Sequence, residues 1–179
     1  MLREKRLEDA ANDYAWRSDE ELARLDAAPT LRIPFIDFLD NYSEELRYPS
    51  PQRYRFAIET IDGRHIGNCM YYDIDEDKGQ AELGIMLGDR DYWDQGYGTD
   101  AVTTLVDHMF STMRLVKIYL NTLKWNIRAQ RCFEKCDFVP AALSKRYNRD
   151  LIVMEIYRSS WEQRTSLKGD QSTNRKQEG

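Results

Sequence analysis

The sequence predicts an α/β domain, and three observations carry that expectation. Within residues 81–87, Leu83, Ile85 and Leu87 alternate with Glu82, Gly84 and Met86, the period of two of a half-buried strand. Farther on, Val102, Leu105, Val106, Met109 and Met113 recur at helical spacing, a stripe suited to packing on a sheet. Asp62-Gly63 lies between two alternating apolar runs, a strong hairpin signal.

Taken in order, residues 7–16 read as a short helix. Ser18 with Glu21 three residues later forms a capping box for a second helix over 19–27, which Ala28-Pro29-Thr30 ends. Pro34 suits the first turn of a third helix, roughly 34–45, with Phe35, Phe38, Leu39 and Tyr42 on one side. Tyr48-Pro49-Ser50-Pro51 is a linker. Strands over 54–60 and 65–72 follow, and Glu76-Asp77-Lys78-Gly79 turns into the strand at 81–87. His108, beside the apolar stripe, reads as a partly buried helix residue and not as a catalyst. A strand over 117–122 precedes a helix that Asn126 caps. Residues 138–147 and 151–157 close the chain as a hairpin around Asn148-Arg149-Asp150. Beyond Arg164 the only aliphatic residue is Leu167, so the domain is set at 1–164 and 165–179 is expected to be a disordered tail. There is no internal repeat and no sign of a second domain.

The 179 residues suit one domain with a real core, and a hydrophobic fraction of 41% excludes a disordered chain. The net charge of −5 and a pI near 5.2 argue against a nucleic-acid partner and suit a cationic one. The opening MLREKRLEDAANDYAW holds no long apolar run, so neither a signal peptide nor a membrane partner is expected and the cytoplasm is the expected location. Cys69, Cys132 and Cys136 fit reduced thiols there. His65 and His108 are too few for a histidine metal cluster, and two thiols alone make a poor zinc site, so no metal is expected.

Between the 81–87 strand and the helical stripe lies Gln95-Gly96-Tyr97-Gly98-Thr99. Two glycines at a helix start let the backbone turn tightly and approach a ligand closely. Free N–H groups there, with the positive end of the helix dipole, make a phosphate site. The stretch 81–101 resembles the acyl-CoA-binding motif of the GCN5-related N-acetyltransferases, the GNAT superfamily. That signature ends in a basic or Gln residue, two variable residues, Gly, a variable residue, and Gly or Ala. Gly96 and Gly98 match its two small positions, and Trp93 stands where Arg or Gln is commonest. An aromatic there is similar to the branch of Rim-type ribosomal-protein N-terminal acetyltransferases and spermidine acetyltransferases. Residues 126–138 resemble a second motif, in which an Asn opens a helix that ends in aromatic-Glu-Lys-aliphatic-Gly-Phe. Asp137 replaces the Gly, which is tolerable because Asp enters left-handed conformations more easily than most residues. Phe133 sits where many relatives have a Tyr that protonates the departing thiolate, and phenylalanine has no proton to give. The resemblance runs from the first residues to about Trp161.

It implies the GNAT fold: a mixed, mostly antiparallel sheet of six to seven strands, splayed at the acetyl-CoA site, with helices on both faces. The splay would separate the parallel strands 81–87 and 117–122, helped by a bulge at Gly84. Acetyl-CoA would be the co-substrate, its pantetheine pairing with the edge of Ile85, Met86 and Leu87. Its pyrophosphate would meet backbone N–H groups of Gln95, Gly96, Tyr97, Gly98 and Thr99. Asn126 would touch the pantetheine arm, and Phe133 belongs to the same site. The acceptor would be a small-molecule amine or a protein N-terminus, and dimers are common in the superfamily, so a homodimer is a further expectation. Glu82 is the candidate base that takes the amine proton, with Asp13, Asp19, Glu20 and Glu21 as alternatives acting through water. A backbone N–H near Met86 or Leu87 would hold the oxyanion. Tyr119, Tyr147 and water are open as proton donors to the thiolate. A second reading keeps the fold as a non-catalytic acyl-CoA-binding sensor or interaction module.

Overall fold

The computed structural model describes residues 1–146 and 148–174. Seven strands form one sheet: β1 (Leu2–Glu4), β2 (Arg53–Glu59), β3 (His65–Asp75), β4 (Gln80–Leu87), β5 (Lys117–Leu123), β6 (Val139–Arg146) and β7 (Arg149–Tyr157). Their order is β1-β2-β3-β4-β5-β7-β6. Every neighbouring pair is antiparallel except β4 with β5. The helices are α1 (Ala10–Ser18), α2 (Glu20–Leu25), α3 (Phe35–Arg47), α4 (Tyr97–Thr112), α5 (Ile127–Glu134) and α6 (Arg158–Asn174). No helix among the described residues is long and apolar enough to cross a membrane. This is the mixed, mostly antiparallel sheet flanked by helices that the resemblance implied.

Alternation along the strands decides which residues meet which layer. Ala81 and Leu83 join the main core with Val102, Leu105, Val106, Met109 and Phe110 of α4. Each of these side chains larger than alanine contributes roughly 1.5–3 kcal/mol relative to exposure. Glu82, Gly84 and Met86 point to the opposite face. Asn68, paired in register with Met86, shares that face and donates its amide to Asp13 of α1 at 2.6 Å. At that end α1 is tied to the sheet by a buried charge cluster. Arg3 holds both oxygens of Asp9 at 2.8 Å and also bonds Glu59, while Lys5 reaches Asp13 at 2.9 Å. The ring of Trp16 covers Gly88, where an added Cβ would lie 2.0 Å from it, so α1 also seals the end of β4.

Several local expectations shift by one or two residues, and three change in kind. Asp19 caps α2, accepting from the Leu22 N–H at 2.9 Å, in place of Ser18. Pro34 sits one position earlier than expected, at the N-cap of α3. The bulge expected at Gly84 is not there: Gly84 pairs with Met70 in unbroken register, and the shift lies across the ladder in β3, between Tyr72 and Asp75. Asp73 absorbs it with a φ of 50°, which an Asp tolerates better than most residues. A Cβ at Gly84 would meet the side chains of Met70 and Tyr72 at 3.4 Å each, close to ordinary van der Waals contact. The tail boundary at Arg164 falls inside α6, so residues 165–174, expected to be disordered, are helical. Trp161 anchors α6 by an indole N–H bond to Asp107 at 2.6 Å, and Arg164 bridges Asp107 and Asp137 at 3.1 and 3.0 Å. Residues 175–179, the rest of the expected tail, lie outside the described residues, as does Tyr147.

Burial alone would push the Asp9 carboxyl up, but the Arg3 hydrogen bonds, the Arg6 backbone N–H and the Lys5 charge outweigh it and hold it at about 2. A depressed carboxylate stabilises the fold above its unfolded value and loses that contribution as pH falls. Asp9→Asn should therefore cost roughly 2 kcal/mol at neutral pH. The gap from wild type should close as pH drops from 3.8 toward about 2. Chemical denaturation across that range checks it, and a gap that stays constant with pH would show that the charge is not what Asp9 supplies.

Candidate active site

The parallel strands β4 and β5 pair over three positions only: Gln80 with Lys117, Ala81 with Ile118, and Glu82 with Tyr119. Beyond Glu82 they part, and β4 continues to Leu87 with no strand on that side. The loop after β4 leads directly into α4, whose N-cap Gly96 has a φ of 89° that only glycine adopts readily. Asp100 is the first N–H to close a helical bond, to the Gly96 carbonyl at 3.0 Å. The N–H groups of Tyr97, Gly98 and Thr99 are thus the unpaired first turn of a helix, a site for an anion.

A groove of about 660 Å³ runs along this open edge. Ile85, Met86 and Leu87 form one wall, Gly96, Gly98 and Thr99 its end, and Asn126 and Phe133 of the α5 segment the opposite wall. The structure brings these expected residues together. Gln95 and Tyr97 do not line it: Gln95 turns its amide to the Asp91 carbonyl at 2.5 Å, and Tyr97 packs on Tyr92. Only their backbone belongs to the loop. Asn126 lines the groove and also caps α5, its Oδ1 accepting from Ala129 at 3.2 Å. Phe133 is buried against Phe138, and Asp137 takes the left-handed turn expected of it, with a φ of 67°. Gly98 has a different reason from Gly96: a Cβ there would stand 3.3 Å from Cys132 Sγ and 3.5 Å from Leu87 Cδ1. A second depression, of about 690 Å³, lies at the far end of α4, where Arg158 bonds the carbonyls of Leu115 and Met113 and so caps the helix.

Sequence reasoning noted Trp93 only as a departure from the motif, and it missed three cationic groove residues. The Trp93 indole N–H donates to the Leu87 carbonyl at 2.8 Å and so occupies one acceptor of the open edge. The guanidinium of Arg128 lies 3.7 Å from the centre of the Trp93 ring, a cation–π contact that fixes a positive head beside the groove. Arg131 and Lys135 line the same wall. The signal was present: 128, 131 and 135 share one face of a helix.

At the point of the fork stands Glu82, with only 3% of its surface exposed. Its Oε1 accepts from the Tyr72 hydroxyl at 2.7 Å and from the Asn121 amide at 3.0 Å. Its Oε2 faces Arg146 of β6 at 3.3 Å. Asn121 is itself held by the Ser144 hydroxyl at 3.1 Å. The alternative carboxylates are committed elsewhere. Asp13 pairs with Lys5, Asp19 and Glu21 share Arg90, and Glu20 meets Arg32 at the surface.

Cys132 also faces the groove, its Sγ 3.5 Å from the Thr99 hydroxyl. The Cys136 thiol beside it, then Thr99 and the charges of Lys135 and Arg128, outweigh burial and lower the Cys132 thiol, while Cys136 is raised. Burial pushes Cys69 up to about 12. Because the thiolate is the reactive form, iodoacetamide at neutral pH should label Cys132 well before Cys69 or Cys136. Peptide mass spectrometry would check the order, and equal labelling would mean that the groove does not favour the thiolate.

Known proteins share this architecture. The family model described as the Acetyltransferase (GNAT) domain matches residues 1–139. The uncharacterised N-acetyltransferase p20 of Bacillus licheniformis is 26% identical over 153 residues, 83% of each chain. The spermidine N-acetyltransferase of Vibrio cholerae, solved with CoA and spermine, superposes with a TM-score of 0.78 at 20% identity, over 89% of this chain and 95% of that one. The aminoglycoside acetyltransferase AAC(6')-Ib, solved with coenzyme A, gives 0.74 at 22% identity, over 91% and 97%. With a family match over most of its length, this chain belongs to the GNAT acetyltransferases and is an acyltransferase.

Proposed function

We propose that the protein transfers an acetyl group from acetyl-CoA to a primary amine, which attacks the thioester directly. The observation that carries this is the fork: three parallel pairs end at a buried carboxylate, and a free strand edge leads from it to the helix start. Pantetheine amides pair with the open edge of Ile85 to Leu87 as an added strand would. The pyrophosphate sits on the first-turn N–H groups of α4, with Arg128 and Arg131 beside it. The groove chemistry fits this cofactor, since its lining combines the helix-start backbone and the cations Arg128, Arg131 and Lys135, set against the acids Asp26 and Asp94, with apolar residues such as Leu22, Ile85, Leu87 and Phe133.

In the reaction the amine lone pair forms the new C–N bond and the C–S bond breaks. An alkylammonium has a pKa of roughly 10, so a base must take a proton first. Glu82 is that base, receiving the proton on Oε2, the oxygen not already saturated by Tyr72 and Asn121. A backbone N–H near Met86 or Leu87 holds the oxyanion. Phe133 gives the thiolate nothing. Tyr119, across the last strand pair from Glu82, keeps its proton because burial and then the Glu82 charge raise its phenol, and it is the described residue fitted to return one. The acceptor class is a small cationic amine, in keeping with the spermine complex of the Vibrio cholerae relative.

A thiol-release assay with acetyl-CoA and a panel of polyamines, amino-sugars and peptide N-termini tests the reading. Turnover with a cationic amine is expected, whereas binding without turnover on any acceptor would favour the sensor reading that Phe133 suggests. Gly98→Val should remove most of the thermal shift that acetyl-CoA confers, because the side chain would press on Cys132 and Leu87 and crowd the phosphates. Unchanged coenzyme A affinity by calorimetry would displace the phosphate site. Glu82→Gln should keep that affinity and lower turnover by roughly 10²–10⁴-fold near neutral pH, a deficit that shrinks as pH rises and more amine is already neutral. A deficit equal at every pH would remove Glu82 as the base.

A further inference from the structure

We infer that Arg146 is a built-in occupant of the acceptor's ammonium subsite, a specificity-determining residue that a cationic substrate must displace from Glu82. The inference rests on the reading of Glu82 as the group that meets the acceptor amine. Its support is geometric. Glu82 has two oxygens, and Tyr72 and Asn121 saturate one of them from the floor of the sheet. The other sees one donor, Arg146, at 3.3 Å, longer than the 2.7–2.9 Å usual for a charge-assisted bond. The carboxylate side chain is 3% exposed, whereas the Arg146 side chain that covers it is 45% exposed. The cover is thus the part of the pair that water already reaches.

The position of Arg146 in the fold makes that cover movable. It is the last residue of β6, which is the edge strand of the sheet. The hairpin it belongs to crosses toward α2, where Arg149 donates to the Arg24 carbonyl at 3.1 Å. Arg24 in turn lies over the Trp125 ring at 4.8 Å. Arg149 can therefore stay docked on α2 while the long Arg146 side chain swings out, since the two arginines hold separate partners. An ammonium group that takes the place of Arg146 at Oε2 would meet a carboxylate already held on its other oxygen by Tyr72 and Asn121.

The exchange also explains why a carboxylate can be kept at so buried a place. A lone buried charge is costly and would be neutralised, and Arg146 supplies the counter-charge whenever the site is empty. The groups facing Glu82 are Tyr72 from β3, Tyr119 and Asn121 from β5 and Arg146 from β6. Burial first, and then the Glu82 charge, raises the phenols of Tyr72 and Tyr119. Arg146 is thus the only one of these that carries charge at neutral pH. Removing it should have two opposed effects. Cationic acceptors lose a competitor, and the empty site loses the cation that keeps Glu82 ready.

The test uses Arg146→Gln in the full chain, with circular dichroism and coenzyme A affinity to show that the fold is kept. Calorimetric titration of 1,4-diaminobutane into the coenzyme A complex at pH 8 reads the competition without turnover. The variant should bind the diamine roughly two- to fivefold more tightly than wild type, the scale of a half-exposed ion pair. 1,4-Butanediol, which has no charge, should show no such gain. In the Glu82→Gln background the same substitution should leave diamine affinity unchanged, because the carboxylate being contested is gone. In turnover, Arg146→Gln should lower KM for cationic amines. Arg146→Lys should lie between. Unchanged or weaker diamine binding in Arg146→Gln, or an equal gain with and without Glu82, would overturn the proposal, as would the absence of diamine binding in both wild type and variant. A protein that binds the diamine as predicted but turns over no amine would sink the acetyl-transfer reading and leave the subsite standing.

Discussion

The separation of β4 from β5 after Glu82 is the constraint on which the rest of the molecule depends. A sheet normally pairs every backbone N–H and C=O along an inner strand. Here the inner strand β4 carries five residues, 83 to 87, with one side unpaired. Such an edge, left to itself, invites pairing with any other chain. The fold manages it in three ways. The Trp93 indole occupies the Leu87 carbonyl, α5 and the start of α4 wall the opening, and Trp16 closes down on Gly88 just past the strand. What stays open is a slot of defined length, suited to one extended amide chain.

Holding the fork open requires both arms to be pinned by something other than each other. β4 is pinned by β3 through seven register pairs, and β5 by β7 through seven more. The apex is pinned by Glu82, whose carboxylate gathers Tyr72 from the β3 side and Asn121 from the β5 side. One side chain therefore ties both arms at the point where they part. The same hydrogen bonds that tie the two arms leave the other carboxylate oxygen free of both, so the proposed base is also the residue that holds the fork.

The parts of this arrangement that depend on neighbours in sequence were legible from it. Strand β4 showed its period of two, α4 its apolar stripe, and Asn126 its capping position. Asp137 could be assigned to a left-handed turn because a residue's own φ is a local property. What depends on distant partners was not legible. β1 is three residues long and is a strand only because Leu2, Arg3 and Glu4 meet Ile58, Ala57 and Phe56. Arg146 is one basic residue among many until the β6–β7 hairpin brings it to Glu82, 64 positions earlier. Helix α6 has no apolar stripe to betray it, and is set down by Trp161 and Arg164 on Asp107 and Asp137. The bulge placed at Gly84 failed for a related reason: glycine permits irregularity on either strand of a ladder, and here Asp73 of the partner strand took it.

The proposed acetyl transfer would bring two ligands of opposite sign to one bond, and the charge distribution suits that. At the proposed phosphate end, the N-terminus of α4 and the side chains Arg128, Arg131 and Lys135 outnumber the acids Asp26 and Asp94 of the same lining, in a chain whose formal charge is −5. At the apex stands a single buried carboxylate. Charges in water are screened within about 8 Å at physiological ionic strength, but buried ones are screened much less. If the cations of the phosphate end lay near the apex, they would repel an incoming ammonium and compete for Glu82. The apolar stretch of Ile85 and Leu87 along the groove holds the two regions apart while giving pantetheine a neutral track. Arg146 is the exception, a cation admitted to the apex on an edge strand. It is tolerable there because its exposure leaves it easy to move, and a long side chain on an exposed edge is the cheapest cation to displace from a buried carboxylate.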